Sequence, residues 1–143
     1  MIRRLYKAAD AGVKIELIIR GICCLIPRKN IRVVRIIDRF LEHARVYIFH
    51  NSGEEKILIG SADWMERNLY RRIEVVFPIL DNEIITAIKE NIQLQLNDNV
   101  KAVDINDQIE NVKVVNKEVP IRSQYAYYKS LKAVHDIKTL AVN

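Results

Sequence analysis

The sequence has few groups that could cross-link, ligate a metal or span a bilayer. Its only two cysteines are adjacent, Cys23 and Cys24. Neighbours in sequence rarely pair with each other, so no disulfide framework is expected. There is no CxxC and no second cluster of ligand residues, so no metal site is expected either. No apolar run reaches the roughly 18 residues that a membrane span requires. The amphipathic N-terminus "MIRRLYKAADAG" lacks a signal-peptide core. A cytoplasmic protein with no integral membrane segment is the default.

Acidic residues are scarce in one half only. Residues 1–72 carry 15 Lys+Arg against 8 Asp+Glu, a balance of +7, and residues 73–143 carry 8 against 10, a balance of −2. Eleven of the twelve arginines fall in the first of these stretches. Arginine suits bidentate contact with phosphate oxygens, so the bias fits an anionic partner. A solvated basic face would give the same composition. The chain's 143 residues fit one domain with a real core, and half of them are apolar.

Hydrophobic spacing predicts a short helix over 2–11, stopped by Gly12, and a buried strand over 13–20 that ends in Arg20. "GICCLIPRKN" reads as a loop. Residues 31–41 satisfy both templates: their β-branched content suits a strand, whereas Ile31, Val34, Ile37 and Leu41 fit a helical face. "RVYIFH" (45–50) and "KILIG" (56–60) flank "NSGEE" as two strands around a turn, and "SADWMERN" is a polar break. "IEVVFPI" (73–79) is a third strand. Asp81 caps an amphipathic helix over 82–96, with Ile84, Ile85, Ile88, Ile92 and Leu96 inside. "VKAVDI" and "NVKVVN" are weaker strands, and a final helix covers 122–135. This is an α/β pattern, a mixed β-sheet flanked by helices.

"FLEHARVYIFH" (40–50) concentrates the chemistry. Residues i and i+2 of a strand share a face, so His43 and Arg45 would stand side by side, a proton-transfer or nucleophilic group beside a fixed cation. Arg20 ends the first strand, where open α/β sheets place ligands. "GSADWMERN" supplies Ser61, Asp63, Arg67 and Asn68 as donors or orienting acceptors. Phosphoryl transfer asks for such a set, a nucleophile or proton donor with cations around the equatorial oxygens. Spacing leaves open whether they converge. His50 reads as a strand-end residue and His135 as solvated. Cys23 and Cys24 read as buried fillers, and Tyr125, Tyr127 and Tyr128 as helix packing.

The strings "LYKAADAGVKIELIIRGICCLIP", "DRFLEHARVYIFHN", "GSADWMERN" and "RRIEV" resemble the C-terminal region of bacterial polyphosphate kinase, and "VPIRSQYAYYKSLK" resembles that family's C-terminal end. The chain also resembles one half of the phospholipase D fold. Here His43-Ala44-Arg45 replaces His-x-Lys, and Gly60-Ser61-Ala62-Asp63 replaces Gly-Ser-x-Asn. The resemblance implies reversible transfer of the terminal phosphate of ATP onto polyphosphate, with magnesium, through a phosphohistidine of a preceding domain. It implies that Arg20 contacts nucleotide or phosphate and that His43 is the second active-site histidine, a nucleotide contact and proton donor. Arg45 and Arg67 are further expected phosphate contacts. Residues 1–143 would be the second catalytic domain, with the N-terminal, head and first catalytic domains absent and little activity alone.

Two departures stand out. The loop before "NIR", longer and Gly-rich in the family, shrinks here to Arg28-Lys29-Asn30. The adenine-stacking tyrosine and the magnesium ligands of the family lie upstream, so this chain would hold neither Mg2+ nor ATP/ADP alone. Its expected partners are polyphosphate, ATP/ADP, the remaining domains and, through pairing of two copies, itself. No nucleic-acid-binding motif occurs. Two alternatives stand beside this reading: a non-catalytic polyanion-binding module, and a homodimeric phospholipase D-like phosphodiesterase.

Overall fold

The computed structural model describes residues 1–115 and 119–140, and the side chains of residues 134–140, His135 among them, lie outside the described set. The chain gathers into two compact units, one built from residues 1–41 and 91–143, the other from residues 42–90.

The first unit is organised around a four-stranded mixed sheet. Strands β1 (Ile15–Ile19) and β2 (Ile31–Ile36) run parallel, with Ile15 opposite Ile31. Strands β6 (Ala102–Ile105) and β7 (Asn111–Lys113) follow antiparallel, in the order β1-β2-β6-β7. Of the segment 31–41 that satisfied two templates, Ile31–Ile36 is therefore a strand, and 37–41 is neither strand nor helix. The segment fits both because β2 is covered on both faces, which replaces simple alternation by a nearly continuous apolar run. Ile31 and Val33 pack on one face with Leu25, Ile105 and Ala9 of helix α1 (Ile2–Asp10). Val34 and Ile36 pack on the other with Ala102, Ile18 and Leu96. Val34 has no exposed surface at all.

Helix α1 ends where expected, Gly12 taking a φ of 93° that costs a Cβ-bearing residue more. The shortened loop closes as a tight turn. Ile31 N–H donates to Arg28 C=O at 2.8 Å, Asn30 adopts a φ of 67°, and its Nδ2 donates to Ala9 C=O at 3.1 Å. The Tyr6 hydroxyl anchors the same loop, accepting from Ile26 N–H at 2.9 Å and donating to Ile26 C=O at 3.1 Å. The Arg28 guanidinium lies 3.5 Å from the Tyr6 ring centre. Helix α4 (Ser123–Leu140) runs past the expected 135.

The second unit is an antiparallel meander, β3 (Val46–Phe49), β4 (Lys56–Gly60) and β5 (Val76–Pro78), in that order across the sheet. A 3₁₀ turn, Asn51–Gly53, joins the first pair with positive φ at all three residues. Helix α2 (Glu66–Arg71) takes the second half of the expected polar break, and β5 is shorter than the 73–79 run. Helix α3 (Asn82–Leu96) begins and ends as predicted. Asp81 Oδ1 accepts from the N–H groups of Glu83 and Ile84 at 2.9 and 3.0 Å, satisfying two of the four orphan donors of its first turn. Ile84 is half exposed rather than inside the core. The α/β class expected holds, as two sheets instead of one.

Candidate functional site

The sequence placed His43 and Arg45 at the head of a strand. In the structure β3 begins one residue later, at Val46, and the two side chains meet through hydrogen bonds instead of through strand alternation. Arg45 Nη1 lies 2.6 Å from His43 Nδ1 and donates to the His43 carbonyl at 2.8 Å. On its other side Arg45 grips Asp63: Nε and Nη2 approach the same Oδ1 at 3.1 and 3.0 Å. The guanidinium is largely buried, its side chain 14% exposed, whereas His43 is exposed.

The backbone explains why these groups lie together. Gly60 N–H donates to the Arg45 carbonyl at 2.9 Å, which extends the β3–β4 ladder by one pair and brings the residues after β4 beside those before β3. The loop that follows is fixed at Ala62, whose carbonyl accepts from the Tyr47 hydroxyl at 3.0 Å. Trp64 stacks flat on Tyr47, ring centres 5.3 Å apart and planes 3° from parallel. Burial pushes the Tyr47 hydroxyl above its ordinary pKa, so it stays a donor to that loop at neutral pH. Asp63 is thus carried on a braced loop.

A second polar knot lies at the β4–β5 end of the same unit. The Ser61 hydroxyl donates to one oxygen of Glu74 while accepting from Val75 N–H at 3.1 Å. Asn68 Nδ2 donates to the other Glu74 oxygen at 2.7 Å. The Ser61 and Asn68 donors hold the Glu74 carboxyl below its ordinary pKa, so it is an anion. Asn68 is buried, and its Oδ1 has no partner among the described residues. Glu74 was not singled out in the sequence. An acid opening the otherwise apolar "IEVVFPI" was the signal that could have found it.

Arg67 is exposed on α2. In the first unit, Arg20 follows β1 directly and is half buried. Next to it, the Gly21 carbonyl accepts from Arg35 Nε at 3.0 Å, and Arg35 Nη1 reaches Asn111 Oδ1 at 2.6 Å, so the backbone that carries Arg20 is tied to β2 and, through Arg35, to β7. His50 sits exposed just past β3, as a strand-end residue does. Cys24 is exposed and Cys23 half buried, which corrects the expectation of two buried fillers. The adjacent side chains of an extended segment face opposite ways, so only one of the pair can turn inward. Tyr125 does not simply pack. Its ring lies 4.3 Å from the Arg122 guanidinium carbon and its hydroxyl accepts from Arg39 at 3.3 Å. Those two cations lower its pKa, the hydrogen bond from Arg39 being the larger cause.

Residues 1–124 match the family model described as polyphosphate kinase C-terminal domain 2. The chain belongs to that family. Among curated relatives it is 44% identical to the polyphosphate kinase of Prosthecochloris aestuarii across 99% of this chain and 21% of that protein. It is 48% identical to the polyphosphate kinase of Bacillus anthracis across 90% of this chain and 19% of that protein. Among solved structures, the crystal structure of polyphosphate kinase from Porphyromonas gingivalis superposes with a TM-score of 0.91 at 47% identity, over 95% of this chain and 22% of that one. The chain thus spans about a fifth of the length of the curated relatives it matches. The mixed α/β fold expected from the resemblance, one phospholipase D-like half, stands with the family. No helix among the described residues is long and apolar enough to cross a membrane.

Proposed function

We propose that this chain supplies one half of the phosphoryl-transfer site of a polyphosphate kinase, acting as the second catalytic domain beside other domains of a longer protein. The supporting observation is the exposed His43, in the matched family segment, with its ring held at one edge by a buried arginine. Arg20 binds phosphate oxygens of ATP, ADP or polyphosphate, and Arg67 adds a second cation from α2. Phosphoryl transfer gains chiefly from positioning and from charge placed around the equatorial oxygens, which is what fixed guanidinium groups supply. His43 donates toward the transferring group. Magnesium would neutralise phosphate charge in the whole enzyme. The steps assigned to this chain are those its own side chains can perform. A cytoplasmic location, where ATP and ADP are at hand, belongs to the same proposal.

The test is formation of ATP from ADP and long-chain polyphosphate with magnesium, using this chain and its His43→Ala variant. A half-site gives no turnover in either. Turnover by the wild-type chain that disappears with His43→Ala would overturn the half-site reading. Polyphosphate binding by the same chain should fall with salt and should weaken in Arg20→Gln. Unchanged binding would remove Arg20 from the site.

The concentration of arginine before residue 73 favours a second reading, a polyanion-binding module without a catalytic role. Turnover retained by a complete polyphosphate kinase carrying His43→Ala would select it. A dimer whose phosphodiesterase activity is lost in His43→Ala would instead select the paired phosphodiesterase.

A further inference from the structure

Arg45 was expected to touch phosphate, but its hydrogen bonds point elsewhere. A guanidinium has five N–H donors and no acceptor. Three are engaged in hydrogen bonds inside the second unit: Nε on Asp63 Oδ1, and the two Nη1 hydrogens on the His43 carbonyl and on His43 Nδ1, while Nη2 stands 3.0 Å from the same Asp63 oxygen as an ion pair. Bidentate recognition of a phosphate takes two nitrogens of the fork, and Nε and Nη1 are already committed within the protein. Burial of the side chain turns it further from a phosphate clamp.

The contact with His43 has a chemical consequence. Because Arg45 offers only hydrogen-bond donors, His43 Nδ1 must accept, with its lone pair toward the guanidinium. A ring whose Nδ1 lone pair is occupied in this way is neutral, and its single hydrogen sits on Nε2. The tautomer is assigned here from the hydrogen-bond network, as ring protonation in general is. A neutral imidazole is a good hydrogen-bond donor through Nε2–H but a poor proton donor, since giving up that proton would leave an imidazolate. Neutral imidazoles that polarise an oxygen without protonating it are a known catalytic device.

We infer that the Asp63–Arg45 pair is a positioning device that holds His43 as the neutral Nε2–H tautomer, so that His43 serves the transferring phosphoryl group as a hydrogen-bond donor and not as a proton donor. This rests on the half-site reading for its purpose but not for its geometry. Asp63 aligns the guanidinium, and the guanidinium fixes the ring. Asp63 can do this because its loop is tied down by the Tyr47 hydroxyl at Ala62 and by Met65 N–H, which donates to the Asp63 carbonyl at 2.7 Å. The His43 backbone carbonyl, held by the same Nη1, keeps the ring in register with the arginine. Arg45 and Asp63 act through His43, and neither needs to touch a substrate.

Long-range ¹H–¹⁵N correlation spectra of the ring nitrogens in the 143-residue chain test this directly. His50 and His135 serve as internal references. At neutral pH, His43 should show one tautomer, with Nδ1 resonating as a bare nitrogen and Nε2 as a protonated one. In Arg45→Ala and in Asp63→Asn the ring should move to a mixture of tautomers while backbone amide dispersion persists. A wild-type ring carrying its hydrogen on Nδ1, or charged at neutral pH, overturns the inference without any variant. So does a ring that keeps the single Nε2–H form in folded Arg45→Ala. If Arg45→Ala fails to fold, Asp63→Asn, which keeps the side-chain size, decides by the same criterion. No turnover is needed, so an inactive chain leaves this result standing, and a wrong tautomer leaves the half-site reading standing.

Discussion

Asp98 and Ser123 are joined twice, through both the backbone and the side chain of the serine. Asp98 Oδ2 accepts from Ser123 N–H at 2.7 Å and from the Ser123 hydroxyl at 2.8 Å, at the first residue of α4. The other oxygen accepts from Val100, Lys101 and Ala102 N–H at 2.9, 2.7 and 3.1 Å, at the entry to β6. One carboxylate, 1% exposed, thereby satisfies both a helix start and a strand start.

Replacing Asp98 by alanine removes these bonds and strands several buried donors, so a loss of about 3–5 kcal/mol is expected. Urea unfolding of wild type and Asp98→Ala measures it. A loss under about 1 kcal/mol would mean that the donors find water.

The same carboxyl sets an acid limb. Burial pushes the Asp98 pKa up, but the donors of Lys101, Ser123 and Ala102 outweigh it, and the net direction is down. A depressed carboxyl stabilises fully above its unfolded value, near 3.8, and that contribution is lost as pH falls through the lower folded value. Asp38, held low chiefly by its hydrogen bond from Arg122, adds to the same window. Stability should therefore be flat in these groups from pH 7 to about 5 and fall below about 4, and Asp98→Asn should flatten that fall.

Arg122 and Asp38 form a two-bond pair, at 2.8 and 2.6 Å, in which the Asp38 side chain is 2% exposed and the arginine 35%. Removing the arginine leaves a buried charge without its partner, while Asp38→Asn removes the charge itself. Arg122→Ala should lower Tm more than Asp38→Asn at pH 7, measured by calorimetry, and the order should reverse or vanish below pH 4.

Gly60 is required by space and not by φ. A Cβ there would stand 2.9 Å from Val76 Cγ2, 3.3 Å from Tyr47 Cε2 and 3.3 Å from the Val75 carbonyl. Gly60→Ala should cost about 1–3 kcal/mol through overpacking. In a Val76→Ala background the penalty should shrink, since the shortest contact is gone. Equal penalties in both backgrounds would place the strain on the backbone contact.

Glu74 owes its lowered pKa first to Ser61 and then to Asn68. Ser61→Ala should therefore bring the Glu74 carboxyl back toward its ordinary value, read by carboxyl ¹³C titration. No movement would show that Ser61 is not the controlling donor.

The elements most legible in the sequence were those whose local rules agree. Helix α3 has a capping aspartate, a 3.6-residue apolar period and no interrupting glycine, and its bounds came out as read. β2 was ambiguous because burial on both faces erases the period that distinguishes strand from helix. His43, Arg45 and Asp63 were all visible as residue types. What joins them is the pairing of the β3 and β4 ends, Val46 with Ile59 across a 13-residue separation in sequence, and no local pattern records that. Glu74 was missed for the same reason: its partners Ser61 and Asn68 come from other elements. The division into two units was equally hidden, since the first is discontinuous in sequence.

That discontinuity has a consequence for how the chain is made. Val34 pairs with Asp104 and Ile36 with Ala102, so the inner edge of β2 stays bare until some seventy further residues have been synthesised. Those intervening residues include the whole of the unit that carries His43, which closes only local hairpins of its own. The expected order of assembly is therefore inverted relative to the sequence: the inserted meander folds first, and the sheet that began before it is completed last, by the strands at 102–105 and 111–113.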